Sequence, residues 1–270
     1  MDCNVKVSVN IPTFNEEKAL PFALDAVMKQ TYSNIETIVI DSNSKDKTPE
    51  IALEYGAQVI NYNGKLLGAR YIGAEESKGE YILLLDADQI LKPDAIERAL
   101  VKIKNLDMLI FEEKAFEEKT YIQKILSKER ADVHKNAEAL DPISGALLPR
   151  FYKKDILIST FNNIPKELYH TVVAHDHAII YYEARKLSSR IEILDNYPVS
   201  HIDPESLTEV ILHNYRFGKS TKALSRSGHY KELFSSKALQ PKNLLSSIKN
   251  KRFLVSLLRS SAYQIGYIRG

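Results

Sequence analysis

The sequence contains one cysteine, Cys3, no tryptophan, and no apolar run close to the roughly 20 residues that span a bilayer. A single cysteine excludes an internal disulfide and is typical of a reducing compartment. The first residues, MDCNVKVSVNIP, lack the apolar core of a signal peptide, so we expect a cytoplasmic, non-spanning protein. The net charge of +2 is too small to indicate nucleic acid as a partner.

Acidic residues are missing from the C-terminal segment, because the last one is Glu232. The charged residues beyond it are all basic: Lys237, Lys242, Lys249, Lys251, Arg252, Arg259 and Arg269. The same segment places aliphatic residues on one side of a predicted helix, namely Leu254, Leu257, Leu258 and Ile265. A basic amphipathic helix of this kind predicts peripheral membrane association through residues 237–270, or else a helix packed on the rest of the protein or in a dimer.

The first hundred residues alternate strand and helix patterns four times, with strands predicted at 5–11, 35–41, 57–62 and 81–85. This alternation predicts an α/β fold with a mostly parallel sheet flanked by helices. We expect Asn15 to cap the first helix, Thr48 and Pro49 to open the second, and Gly79 to end the third.

Three of these strands end in polar clusters, TFNEE, DSNSKDK and DADQ, which meet at the edge where parallel sheets bind ligands. Asp86 and Asp88 directly follow the buried strand YILLL. Carboxylates suit Mg²⁺ or Mn²⁺, which completes its shell with phosphate oxygens and water. A metal here would neutralise a diphosphate leaving group. The alternative is that Asp88 caps the next helix and Asp86 is a solvated loop residue.

The segments VNIPTFNEE, IVIDSNSKDKT and GARYIGAEESKGEYILLLDADQ, in this order and spacing, resemble the family-two inverting glycosyltransferases, which have the GT-A fold. The resemblance covers residues 5 to about 105 and continues more weakly through AHDHAIIYYEARK, VSH and NYRFGKS to about 220. It implies a Rossmann-like GT-A catalytic domain at 1–217, with a nucleotide-sugar half at 1–105 and an acceptor half at 106–217. Residues 218–270 would form a helical extension, with a soft boundary near Gly218.

The resemblance also implies which residues bind the nucleotide, UDP being the default. Asp41 matches the acid that hydrogen-bonds the base. Arg70 matches a basic residue near the base and diphosphate, although Tyr71 stands where an asparagine commonly follows. The full set implied is Pro12, Thr13, Asn15, Glu16, Asp41, Ser42, Arg70, Asp86 and Ala87.

The remaining site residues follow from the same resemblance. Asp88 would be the direct ligand of Mn²⁺ or Mg²⁺, with Asp86 beside it and His201 completing the shell. Asp176 matches the general base, which takes the acceptor's proton in a single inverting displacement; the alternative is a helix cap. Arg216 and Lys219 match a stretch near the diphosphate, or form a solvated basic face.

We therefore expect inverting, metal-dependent transfer of a single sugar to a glycan or lipid-linked acceptor hydroxyl, at or near the cytoplasmic face of the membrane. Processive members carry a Q-x-x-R-W motif, and this sequence has no tryptophan. One alternative is a polyprenyl-phosphate acceptor, which needs no base, and another is a non-catalytic nucleotide-binding module. A nucleotidyltransferase is disfavoured because PTFNEEKA lacks the glycines of a phosphate loop. Sugar, base, acceptor and oligomeric state are not fixed by the sequence.

Overall fold

The computed structural model describes residues 5–136, 140–143, 147–233 and 252–270. The strands are β1 Val7–Thr13, β2 Ile35–Asp41, β3 Gln58–Asn61, β4 Tyr81–Leu84, β5 Gln89–Leu91, β6 Met108–Ala115, β7 Pro149–Lys153 and β8 Ile191–His201. They form one sheet in the order β3-β2-β1-β4-β7-β6-β8-β5.

The helices flank this sheet. They are α1 Leu20–Met28, α2 Thr48–Glu54, α3 Leu66–Glu76, α4 Ala95–Lys102, α5 Tyr121–Asn136, α6 Lys154–Asn163, α7 Asp176–Leu187, α8 Leu207–Ser227 and α9 Arg252–Arg269. Short 3-10 turns lie at Ile103–Asn105 and Lys166–His170.

The parallel half of the sheet is the part predicted from the sequence. Strand β1 pairs in parallel with β2 and β4, and β2 pairs in parallel with β3. The side chains of Val7, Val9 and Ile11 are fully buried, since helices cover both faces of a sheet of this kind. The carboxyl ends of β1, β2 and β4 therefore meet at one edge, and the α/β prediction is confirmed.

The second half of the sheet is mixed. Strand β7 runs antiparallel to β4 and β6, whereas β8 runs parallel to β6 and antiparallel to β5. The pairing of Gln89 with His201 brings the end of β8 next to the D-x-D segment. The predicted turn within residues 191–201 is a bulge, because the β6–β8 register skips from Leu194 to Val199.

Two predicted helix boundaries are wrong. Asn15 does not cap α1, which begins at Leu20. Asn15 has a positive φ of 58° and ties two loops together, donating from its N–H to Ser44 Oγ and accepting from Lys45 N–H. Helix α3 ends at Glu76, before Gly79, whose N–H donates to Ser8 Oγ at 2.9 Å. The predicted start of α2 at Thr48 is confirmed.

The C-terminal helix packs on α8 through glycine. A Cβ added to Gly218 would overlap the Tyr263 carbonyl, and one added to Gly266 would overlap the Tyr215 carbonyl, so the two backbones lie in close contact. Helix α8 runs unbroken through Gly218, where the sequence suggested a soft boundary. Among the helices of the described residues, none has the length and hydropathy needed to cross a bilayer. Residues 237–251 of the predicted membrane-binding segment lie outside the described residues.

Candidate functional site

The first loop and the end of β2 form one side of the site. Pro12 and Thr13 close β1, and Asp41 closes β2, where it is 1% exposed. Thr13 Oγ donates to Asp41 Oδ1 at 3.0 Å, and the N–H and Oγ of Ser44 donate to the same carboxylate at 2.9 and 2.5 Å. Ser42 N–H donates to the Thr13 carbonyl at 2.9 Å. Asp41 is therefore held rigidly by its own loop. A nucleotide base that hydrogen-bonded to the Asp41 carboxylate would do so alongside Thr13 and Ser44.

Glu16 connects this first loop to the D-x-D segment. Its N–H donates to Thr48 Oγ at 2.8 Å, which fixes the loop against α2. Burial, together with the nearby charges of Asp88 and Asp46, raises the pKa of Glu16 to about 7. The structure therefore brings the first loop and the D-x-D acids to the same edge, as the strand pattern predicts.

Arg70, predicted near the base and diphosphate, lies between the D-x-D segment and Asp176. This side chain is 1% exposed, so it presents no open surface to a nucleotide base. Its Nε donates to Asp176 and its Nη2 to Asp86, so one guanidinium joins the predicted base to the D-x-D segment. Helix α3 places it there, because Arg70 faces inward with Leu67 and Ala74 from the same helix.

A second buried arginine, Arg150 on β7, binds the other carboxylate oxygen of Asp86. Its Nη1 lies 2.9 Å from Asp86 Oδ2 and 2.8 Å from His177 Nε2, and its Nε donates to Glu113 at 2.8 Å. Burial alone would raise the pKa of Asp86, but Arg150 and Arg70 hold it well below its ordinary value. Asp86 is therefore ionised at neutral pH and has a guanidinium on each oxygen.

Asp88 lies beside His201 and has a buried oxygen with no partner among the described residues. That atom is Oδ1, whereas Oδ2 lies 3.4 Å from His201 Nε2. An orphaned carboxylate oxygen next to an imidazole fits a divalent cation that takes its other ligands from phosphate and water. Both oxygens of Asp86 accept from arginines, so a cation that bound Asp86 would have to compete with them. No group of three or more His, Cys, Asp or Glu side chains in the described part of the chain is placed to hold a metal without further ligands.

Asp176 begins α7 and is 7% exposed. Its Oδ2 accepts from Arg70 Nε, and no hydrogen bond within the described residues uses its Oδ1. Burial raises the pKa of Asp176, but Arg70 and His177 lower it more, so the carboxylate is ionised at neutral pH. The preceding His175 adopts a φ of 69°, a strained conformation outside glycine, which turns the chain sharply into the helix.

Three predicted residues lie outside this cluster. Ala87 is buried in the hydrophobic core between the two D-x-D acids. Arg216 and Lys219 are exposed on α8 and do not line the cavity that opens beside Asp88. The structure therefore does not bring these two cations to the D-x-D segment.

The sequence analysis did not identify several residues of this charged cluster, because their partners are distant in the chain. Glu113 accepts from both Arg150 and Arg130, and Arg130 also pairs with Asp203. Asp203 Oδ1 lies 3.3 Å from His201 Nδ1, which continues the chain of charges to Asp88. A charged residue inside the apolar run LLPRFY was the one signal that could have identified Arg150.

Comparisons with known sequences indicate the class of protein. Residues 8–121 match the model of glycosyl transferase family 2. An uncharacterized glycosyltransferase of Rickettsia typhi is 38% identical over 111 residues, 39% of this chain and 35% of the relative. Glycosyltransferase GlyG of Streptococcus pneumoniae is 33% identical over 108 residues, 37% of this chain and 36% of the relative. This chain thus matches about a third of the length of these relatives.

Solved structures resemble nearly the whole chain. S. aureus TarS 1–349 in complex with UDP-GlcNAc superposes with a TM-score of 0.58 at 17% identity, over 97% of this chain and 89% of that chain. Mycobacterium tuberculosis glucosyl-3-phosphoglycerate synthase with Mn²⁺, UDP-glucose and phosphoglyceric acid gives 0.56 at 15% identity, over 89% and 82%.

The fold is therefore that of the GT-A glycosyltransferases. Over residues 8–121 the chain matches family 2 glycosyltransferases, and the resemblance stated from its motifs is confirmed.

Replacing Arg70 with methionine leaves Asp86 without one cation and Asp176 without its ion-pair partner. Breaking a buried pair in this way costs on the order of 3–5 kcal/mol. We expect urea unfolding at pH 7 to show a loss of this size for Arg70→Met, and a partial recovery for Arg70→Met/Asp176→Asn. Arg98→Met, which breaks partly exposed pairs with Asp94 and Asp195, is the control and should cost about 1 kcal/mol or less. Equal losses for Arg70→Met and Arg98→Met would contradict the role of Arg70.

Proposed function

We propose that the protein transfers a single sugar from a nucleotide-diphosphate sugar, by default a UDP-sugar, to an acceptor hydroxyl with inversion at the anomeric carbon. The observation that carries the proposal is the arrangement of three carboxylates, two at one sheet edge and a third joined to that edge through the Arg70 guanidinium. Asp41 closes β2 at the nucleotide side, Asp88 follows β4, and Asp176 is tied to the D-x-D segment through Arg70. These positions correspond to base recognition, diphosphate neutralisation and proton removal in one displacement.

The donor side depends on residues that are already fixed in place. The first loop and the Asp41 turn are cross-linked by Thr13, Ser44 and Asn15. A rigid, pre-formed site of this kind loses little conformational entropy when a nucleotide binds. The known ligands of the similar solved structures, UDP-GlcNAc and UDP-glucose, support a uridine nucleotide as the first candidate.

Asp88 and His201 would hold a divalent cation, which supplies positive charge to the leaving diphosphate when bound. Asp86 acts differently, since it keeps Arg70 and Arg150 in place on either side. We propose Mn²⁺ or Mg²⁺ because both accept a mixed shell of carboxylate, phosphate and water.

Calorimetric titration with UDP, GDP and dTDP, each with Mn²⁺ and with EDTA, tests the donor half of the proposal. We expect one nucleotide, UDP first, to bind with Mn²⁺ and to bind at least tenfold more weakly in EDTA, because the cation bridges carboxylate and diphosphate. Failure of all three to bind in the presence of Mn²⁺ would contradict the proposed function and favour a domain that keeps the fold without the donor site.

Asp176 is proposed as the general base through its Oδ1, because Arg70 occupies Oδ2 and orients the carboxylate. Asp176→Asn keeps the shape and an oxygen that can accept from Arg70 Nε, but it removes the negative charge that pairs with Arg70, so thermal unfolding must accompany the assay. We expect transfer to a hydroxyl acceptor to fall by roughly 10²–10⁴, the usual contribution of a general base. Full activity of a folded Asp176→Asn variant would instead favour a phosphate acceptor, which is already ionised and needs no base.

We further propose that the outer face of α9 associates with an anionic membrane surface. Leu254, Leu257, Ile265 and Ile268 are 47–76% exposed on this helix, and its charged residues are all basic. Sedimentation with phosphatidylserine vesicles should pellet the wild type, and pellet Leu257→Ser/Ile268→Ser less. Leu53→Ser, at an equally exposed leucine on α2, is the control. Equal pelleting of all three proteins would remove the membrane proposal.

A further inference from the structure

A cavity of about 480 Å³ opens beside Asp88. Its walls come from β6, α5, α8 and α9, and it shares Asp88 and His201 with the candidate cation site. The predicted nucleotide residues Pro12, Thr13 and Asp41 are not part of its wall. The volume lies within the range of small-molecule sites. Because the cavity shares Asp88 and His201 with the candidate cation site, a ligand in it would lie near the diphosphate of a bound donor.

The charged groups of the cavity wall already neutralise one another. Arg150 pairs with Glu113, Arg130 pairs with Glu113 and Asp203, and Arg259 pairs with Glu129. Asp88 lies 3.4 Å from His201. A phosphate or carboxylate ligand would compete with these acids for the arginines, and a cationic ligand would compete with the arginines for the acids. The pairing favours an uncharged ligand.

His213 on α8 offers the polar contact that such a ligand needs. Its side chain is exposed to the cavity and stacks on Phe217, with ring centroids 6.3 Å apart, and no described residue hydrogen-bonds to its ring. Burial lowers the pKa of His213, opposed by Asp88 and reinforced by His201, Arg259 and Arg216, so the ring is neutral at pH 7. A neutral imidazole has one donor and one acceptor nitrogen, which matches a hydroxyl.

The neighbouring groups suit the rest of a sugar. Asn214 Nδ2 donates to the Val210 carbonyl at 2.7 Å, which directs its amide and leaves Oδ1 as an acceptor. Ile110, Phe111 and Leu126 give the cavity an apolar wall. A pyranose ring matches this surface, because its hydroxyl groups can face the polar side chains while its C–H groups face the apolar ones.

The C-terminal helix closes this cavity. Arg259 reaches it from α9 and pairs there with Glu129 of α5. The glycine contacts at Gly218 and Gly266 hold α9 close enough to α8 for that reach. Helix α9 is therefore a wall of the site as well as an outer surface of the protein.

We propose that this cavity binds the acceptor as an uncharged sugar ring, with His213 hydrogen-bonding a ring hydroxyl and Arg259 of the C-terminal helix closing the wall. The proposal rests on the proposed glycosyl transfer and names its acceptor class. It makes His213 and Arg259 specificity-determining residues, and it extends the acceptor site from residues 106–217 to the end of the chain.

Saturation-transfer NMR with methyl glycosides tests the site. The probes are methyl glucoside, methyl galactoside and methyl N-acetylglucosaminide, each beside its 6-phosphate, with UDP and Mn²⁺ present. We expect at least one neutral glycoside to receive saturation, and its dissociation constant to rise about tenfold in His213→Ala and in Arg259→Ala, with part of the affinity kept in His213→Gln. Arg269→Ala removes the same charge from α9 outside the cavity and should leave the dissociation constant unchanged.

The outcomes separate this inference from the proposed function. Binding of the 6-phosphates in preference to the neutral glycosides would overturn it, as would unchanged binding in folded His213→Ala or binding of no glycoside by a protein that still binds UDP. Loss of UDP binding with glycoside binding intact would instead overturn the donor proposal. Thermal unfolding of each variant confirms that the comparison is between folded proteins.

Discussion

The double ion pair that holds Asp86 between Arg70 and Arg150 is the interaction on which the site depends. Arg70 comes from α3 and Arg150 from β7, and both are about nine-tenths buried or more. Each guanidinium also reaches a second acid, Asp176 or Glu113, so the two guanidiniums join the D-x-D segment to α3, β7, the start of α7 and β6. Buried charges are expensive unless every one is paired, which makes this cluster intolerant of single changes.

Further ion pairs connect this cluster to the proposed general base and to the proposed cation site. On one side they end at Asp176, whose free oxygen is proposed to accept the acceptor's proton. On the other they pass through Glu113, Arg130 and Asp203 to His201 and Asp88. We therefore propose different roles for the two D-x-D acids: Asp86 holds the two arginines, and Asp88, with its unpaired oxygen, binds the cation.

The sequence predicted the parallel half of the fold well because each element there is local. Valine and isoleucine alternation at 5–11, the apolar run at 35–41 and the helices between them need no distant partner to be recognised. The strand ends then place Asp41, Asp86 and Asp88 at one edge by topology alone. Asn15 and Gly79 were misassigned because their hydrogen bonds go to Ser44 and Ser8, residues of other loops and strands.

The site was less predictable for the same reason. Arg70 matched a family position, but its burial and its bond to Asp176 depend on how α3 packs against the start of α7. Arg150, Glu113 and Asp203 sit in segments without a recognisable motif, and only the mixed half of the sheet brings them together. The cavity beside Asp88 depends on α8 and α9, whose close packing requires Gly218 to face the backbone at Tyr263 and Gly266 to face the backbone at Tyr215.

Mn²⁺ binding, measured by electron paramagnetic resonance in the presence of UDP, directly tests the different roles proposed for Asp86 and Asp88. We expect Asp88→Asn to weaken Mn²⁺ binding by at least about 100-fold. We expect Asp86→Asn to weaken it no more than about tenfold and mainly to lower the unfolding temperature. If Asp86→Asn loses as much Mn²⁺ affinity as Asp88→Asn in a folded protein, Asp86 is a metal ligand and the arginine framework described here is not the state that binds the donor.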